Sequence, residues 1–177
     1  RDGLVTGVQT CALPIYTPIE ITEGMSVIAH VNEAQRNEIK KHHTLAHLLQ
    51  SALKLTLGTH IAQAGSYVCD EYTRFDFTHF EKVQPEQLHA IETWINEQIF
   101  AAYPVTTTIM DIESAKQSGA TALFSEKYDQ SVRVVSIGEV SKELCGGTHV
   151  SNTSMLGLAK VIRSEEHTSE LQSLSHL

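Results

Sequence analysis

Two short pieces of the chain, His43-x3-His47 and Cys145-x3-His149, carry residue types that bind metal ions, and the chain must fold back on itself to bring them together. On a helix, residues four apart share a face and sit one turn from each other, so both imidazoles of the first pair can reach one ion. Cys145 adds a thiolate, a ligand that favours zinc over hard cations such as magnesium. Taken alone, His-x3-His fits two packed or solvated side chains as well as it fits a site. The second pair shifts that balance, because Cys-Gly-Gly-Thr-His puts a thiol and an imidazole on a turn whose glycines lack Cβ and let the backbone come close to an ion or ligand. His43, His47, Cys145 and His149 are therefore expected to hold one Zn2+.

Helices and strands that can position these residues are readable from the pattern. Asn32 can cap a helix running towards Gly58, a natural stop. At about 100° per residue, Lys40, His43, His47 and Lys54 all fall within about 40° of Arg36. The His pair thus lies on a basic stripe. Leu45, Leu48, Leu49, Ala52 and Leu55 cluster on the opposite side as a core face, and His42 falls off the stripe as a packed or rim residue. In the bland reading the stripe is only a solvated face, and in the functional one Arg36, Lys40 and Lys54 touch RNA phosphates.

The rest of the chain reads as α+β. Ser26 to Val31 is expected as a short strand, and Ile61 to Cys69 and Thr73 to Phe77 as paired strands around Asp70-Glu71, since Phe75 and Phe77 alternate with Arg74 and Asp76. Pro85 suits the first turn of a second helix whose stripe of Leu88, Ile91, Ile95 and Ile99 is core, with Pro104 marking its end. A strand follows at Val105 to Met110. Asp111 can cap a short helix through Lys116, and Val132 to Ile137 is a further buried strand.

Length and charge narrow the class. The 177 residues allow one domain with a real core, perhaps with a small appendage. A net charge of −8 argues against a generic DNA or RNA binder, although it leaves room for a local basic stripe. No apolar run approaches the roughly 18 residues that a membrane helix needs. Of 3 cysteines, Cys11 lies in the leader described below, and Cys145 beside histidines is better explained as a ligand in a reducing cytoplasm than as half of a disulfide with Cys69.

Residues 1–16 and 163–177 fit poorly with the remainder. The first lacks the apolar core of a targeting signal, and the second, rich in Ser, Glu and His, offers few apolar residues for packing. Both resemble translated sequencing-adapter read-through, so a non-native leader and a non-native tail that bury little are expected.

Between them, HHTLAHLLQSALK, QAGSYV, RFDFTHF and SKELCGGTHV follow one another in an order similar to the editing domain of alanyl-tRNA synthetases. The resemblance runs from about Thr17 to Ile162, and its most specific part is the pairing of HxxxH with CGGTH. Threonyl-tRNA synthetases and free-standing trans-editing proteins share a related domain. The segment GMSVIAHVNEAQRNEIKKHHT resembles the interior of a full synthetase, so residues 17–32 are expected to end a small β element and residues 33–162 to form the zinc-binding domain. The fold implied is an antiparallel sheet packed with helices.

The activity implied is hydrolysis of the ester joining serine or glycine to the terminal ribose of alanine tRNA. Such editing exists because a pocket for alanine cannot strongly reject slightly different amino acids by binding alone. The implied partners are the tRNA(Ala) acceptor end and the rest of a synthetase chain. ATP would serve only the catalytic part of such a parent, and this sequence holds no glycine-rich phosphate loop.

Gln63 matches a glutamine that lines the family's editing pocket. Thr44 and Thr148 supply hydroxyls beside ligands, and the amides around Gly146 and Gly147 or the Thr148 hydroxyl could meet a developing oxyanion. The sequence departs from the commonest family pattern at Ala46, where a threonine often stands, which bears on discrimination between serine and glycine. Two roles for zinc remain open: one ligand yields or makes room for water, or the ion only holds geometry. A free-standing editor and a tRNA-binding module with structural zinc are the alternatives to an internal deacylase domain.

Overall fold

The computed structural model describes residues 20, 22–26, 28, 30–121, 130–165 and 169–175. The expected leader, residues 1–16, lies outside them, and Cys11 with it.

Helix α1 (Glu33–Leu57) starts where Asn32 accepts a hydrogen bond from the Gln35 N–H at 3.2 Å. It stops at Gly58, whose φ of 117° and ψ of 164° lie in a region open to glycine. The β1 strand (Gln63–Val68) pairs antiparallel with β2 (Thr73–Phe77). Pro85 opens α2 (Pro85–Phe100), and Leu45, Leu48, Leu49, Ala52 and Leu53 of α1 pack with Ile91, Ile95 and Ile99 of α2 and Phe75 and Phe77 of β2 in the main core. The expected core stripe of α2 is thus buried, with Leu88 partly so.

A second antiparallel sheet has the order β3 (Val105–Asp111), β4 (Ser131–Ile137), β5 (Ser141–Leu144). Asp111 caps α3 (Ile112–Gln117) by accepting from the Ser114 N–H, and Ala115 of α3 packs with Val132, Val134 and Leu144 in a smaller core. The β5 strand escaped the sequence reading because Ser-Lys-Glu-Leu is short and carries little apolar pattern. Its place beside β4 matters, since Cys145 is the next residue.

Two expectations are corrected. None of Ser26, Ile28, His30 and Val31 is in a strand, and Ile28 is 84% exposed; an extended segment becomes a strand only when a neighbour satisfies its backbone, and none does so among the described residues. Leu55 was expected in the core but is 67% exposed, since it sits at the margin of the apolar arc. Part of the segment expected as a non-native tail, residues 163–177, is paired in a sheet. Strand β6 (Ala159–Glu165) runs past Ile162, and β7 (Ser169–Ser175) lies between β2 and β6 in a sheet of order β1-β2-β7-β6. Such pairing is held by backbone hydrogen bonds, which need no apolar side chain.

Candidate metal centre

One turn of α1 presents His43 and His47 side by side, with ring centroids 5.5 Å apart. The segment that follows β5 lies across this face. It brings the His149 ring to 4.4 Å from that of His43 and 4.9 Å from that of His47. Cys145 Sγ stands 3.4 Å from both His43 Nε2 and His149 Nε2. One ligand atom from each of the four residues lies within 4.8 Å of all the others. Ligand atoms around a tetrahedral zinc stand roughly 3.3–3.6 Å apart, so the two contacts of Cys145 Sγ at 3.4 Å already match.

Neighbouring groups decide which ring nitrogens face inward. The Thr44 hydroxyl donates its proton to Lys40 O at 2.9 Å, so in its 3.2 Å contact with His149 the imidazole Nδ1–H must donate. That leaves the His149 Nε2 lone pair facing Cys145. The same hydroxyl accepts the Val150 N–H at 3.2 Å, which ties the turn to α1. His47 Nδ1 lies 2.8 Å from Glu143 Oε2. The ring N–H is not aligned with that oxygen, so this is a charge contact rather than a well-formed hydrogen bond. It still holds a proton on Nδ1 and leaves Nε2 for an ion, the usual role of a carboxylate behind a ligating histidine. Glu143 Oε1 in turn accepts from the Ser141 hydroxyl at 3.0 Å.

The turn itself is fixed from behind. Arg133 of β4 donates to Cys145 O at 3.2 Å, to Gly147 O, and to the Thr107 hydroxyl at 3.3 Å. The Cys145 N–H answers to Arg133 O at 3.0 Å. A Cβ on Gly147 would stand 1.9 Å from His43 Cε1 and 2.3 Å from its Nδ1. The glycine is required there because the backbone presses on a ligand's ring. Its N–H donates to Cys145 Sγ at 3.4 Å.

Electrostatics follow from this packing. Burial alone would raise the Cys145 thiol, but its contacts with His149, His43 and His47, together with the positive charge of His47, outweigh it and bring the group to about 2. Burial opposes charge on His47 as well, yet the Glu143 carboxylate and Cys145 raise it to about 10. His149 drops to about 4, through burial first and then the charges of His47 and His43. Without an ion a Cys145 thiolate therefore stands beside a His47 imidazolium.

The other expected residues divide. Thr44 belongs to the site, and Gly146 and Thr148 lie half-buried between two ligands. Gln63 opens β1, and its amide donates to Ser66 Oγ at 3.1 Å; no hydrogen bond joins it to the cluster. Arg36, Lys40 and Lys54 lie along α1, half-buried, but the stripe is not continuous, because the Cys145–His149 turn leaves His47 only 6% exposed. His42 is packed, as expected, with Nδ1 2.8 Å from Cys69 O. Glu143 and Arg133 were missed. Glu143 stands two residues before Cys145, a position that strand alternation could have flagged, whereas nothing local marks Arg133.

Fold and site together define a class, the tRNA synthetase editing domain with its His/His/Cys/His cluster. Residues 132–172 match the family described as Threonyl and Alanyl tRNA synthetase second additional domain. The chain is 51% identical over 146 residues to the alanine–tRNA ligase of Streptococcus thermophilus (strain CNRZ 1066), a match covering 82% of this chain and 17% of that protein. Identity is 50% over 145 residues with the alanine–tRNA ligase of Streptococcus mutans serotype c, covering 82% and 17%, and 52% over 143 residues with that of Legionella pneumophila (strain Paris), covering 81% and 17%. The chain belongs to the alanyl-tRNA synthetase family, as its editing-domain segment. It spans 17% of the length of the curated relatives it matches.

Proposed function

We propose that this domain is a zinc-dependent deacylase that hydrolyses serine or glycine from mischarged tRNA(Ala), working cytoplasmically beside the rest of an alanine–tRNA ligase that charges the tRNA with ATP. The observation that carries the reading is the convergence of His43, His47, Cys145 and His149 to within 4.8 Å from two distant segments. Three imidazoles and a thiolate suit zinc, and two of the imidazoles already have their outer nitrogens engaged, by Thr44 and Glu143. A bound zinc would supply a positive charge able to polarise an ester carbonyl or a water.

The chain's own residues supply the remainder. Arg133 and Thr44 hold the turn, while the Gly147 N–H is engaged by Cys145 and so is a poor oxyanion donor. The Gly146 N–H and the Thr148 hydroxyl have no hydrogen bond among the described residues and are the better candidates for that role. Arg36, Lys40 and Lys54 are cations placed to meet RNA phosphates on either side of the cluster. No helix among the described residues is long and apolar enough to cross a membrane.

A second reading is favoured by the closed ligand set: four protein ligands fill a tetrahedral zinc, which then only braces a tRNA-binding module. Deacylation assays on serine-charged and alanine-charged tRNA(Ala) separate the two. The deacylase reading expects loss of the serine ester, survival of the alanine ester, and at least about a 100-fold drop for Cys145→Ala, more than loss of an outer partner would cause. Binding of tRNA without turnover by the zinc-loaded protein would establish the bracing role instead.

A further inference from the structure

Between α1, α2 and the hairpin joining β4 to β5 opens a cleft of about 620 Å³, within the range of roughly 300–1,000 Å³ typical of small-ligand sites. None of the four cluster residues lines it, so it lies outside the metal centre. Gln50 on its α1 wall is 4% exposed, and its Oε1 is buried with no hydrogen-bond partner among the described residues. Buried carbonyl oxygens are nearly always paired, so one left open at a cleft wall calls for a donor from a ligand. The last torsion of a glutamine is soft, and a small rotation of the amide presents that oxygen to the cleft. The lining charges balance. Lys142 already donates to Ser118 O at 3.2 Å, and Glu143 is held by His47 and by the Ser141 hydroxyl. Lys54 and Glu139 are left over, with no side-chain hydrogen bond or ion pair among the described residues. One free cation and one free carboxylate disfavour a phosphate as much as a polyamine, since each would face a like charge.

The apolar part of the wall is Trp94, half-buried against the main core, with Val140 and Leu55, the last of these 67% exposed. Gln50 and Lys54 are four residues apart on α1, hence on one face and roughly 6 Å apart along its axis. An unpaired acceptor and a free cation at that spacing, beside an apolar wall, can read the two ends of a zwitterion and its side chain. We propose that this cleft binds a short zwitterion with an apolar side chain, a free amino acid or a dipeptide. Its ammonium donates to Gln50 Oε1, its carboxylate lies on Lys54, and its side chain packs against Trp94 and Leu55. Neither the ion nor the ester takes part, so the site stands apart from the deacylase reading, with Lys54 the one cation named in both.

Trp94 is the only tryptophan, so its fluorescence reports on the cleft directly. Titrations use the ion-free protein, because free amino acids chelate zinc. Millimolar L-leucine or leucyl-leucine should change the emission saturably, and the tighter of the two tells whether the cleft takes one residue or two. Isoamylamine, which lacks the carboxylate, and 4-methylpentanoate, which lacks the ammonium, should each bind about tenfold more weakly, the loss expected for one hydrogen bond to a charged group. Lys54→Ala should weaken the zwitterion by a similar factor and leave the amine unchanged. Gln50→Leu, of similar size, should weaken zwitterion and amine and leave the acid unchanged. Since Gln50 is buried, that variant's melting curve is compared with the parent's, and Lys54→Ala keeps the test decisive if it unfolds. No saturable response to either zwitterion at millimolar concentration overturns the site. Equal affinity of the zwitterion for the parent and Lys54→Ala overturns it as well, and so does tighter binding of inorganic phosphate than of leucine, which would make the cleft an anion site.

Discussion

His47 and Gly147 show how single atoms govern the cluster. With no ion present His47 is held at about 10, above the usual 6.5, while Cys145 is already a thiolate, with a value of about 2. A group raised in this way contributes stability to the ion-free fold that is complete below 6.5 and lost as pH climbs through about 10. An entering cation must expel that proton. Zinc affinity should therefore rise with pH through neutrality, by about tenfold per unit while one proton is displaced. Calorimetric titration at pH 7 in buffers of different ionisation enthalpy should show close to one proton released, from His47 and not from the thiol; release of none would mean His47 is neutral in the ion-free protein. At position 147 the constraint is steric. A methyl 1.9 Å from His43 Cε1 has nowhere to go, since the other neighbours are the ring's own Nδ1 at 2.3 Å and Nε2 at 3.1 Å. Gly147→Ala should displace the ring or the turn and lower zinc affinity by at least about 100-fold in chelator competition, beyond the loss expected for an outer partner. Unchanged affinity would show that the turn has enough slack to take up the methyl.

Among the elements, α1 was the most legible, and for physical reasons: Asn32 and Gly58 punctuate it, and its apolar arc buries Leu45, Leu48, Leu49 and Ala52 as the 3.6-residue period requires. The pairing of His43 with His47 came from the same period. What the period could not show is that the Cys145–His149 turn covers the polar side of the helix, burying His47 and Thr44 where a basic stripe was expected. Long-range partners of that kind leave no local mark. Arg133 is the clearest example, because its role depends on β4 lying next to β5 and on two carbonyl oxygens twelve and fourteen residues away. Arg133→Met keeps much of the side-chain volume and removes the donors. It should loosen the turn, lowering zinc affinity about 10- to 100-fold while leaving the melting temperature of the ion-free protein within a few degrees. Arg133→Lys should recover little, because one ammonium cannot reproduce the planar fork. Full zinc affinity in Arg133→Met would reduce the arginine to an ordinary strand residue.

Across the whole molecule, the sheet of order β1-β2-β7-β6 poses the sharpest question, because its third member is a segment whose composition argued against packing. Residues Thr73 to Phe77 of β2 pair with Ser173 to Ser169, and β6 pairs with the other edge of β7. Without β7, β2 and β6 would each lose their ladder on one side. Net contributions of about 0.5–1.5 kcal/mol per backbone hydrogen bond make that loss larger than the folding stability many domains can spare. Ending the chain at Ile162 also shortens β6 itself, which runs to Glu165. The truncated chain should therefore melt well below the full one, given that about 1 kcal/mol shifts a domain of this size by roughly 2–4 °C. Gln172→Pro tests the same point without shortening anything, since Gln172 stands opposite Arg74 and Arg163 and proline removes its N–H from the ladder. Both changes should lower the melting temperature by more than a few degrees and expose the β2 edge. If both leave melting unchanged, the tail adds nothing to the sheet, and the reading of residues 163–177 as a foreign addition stands.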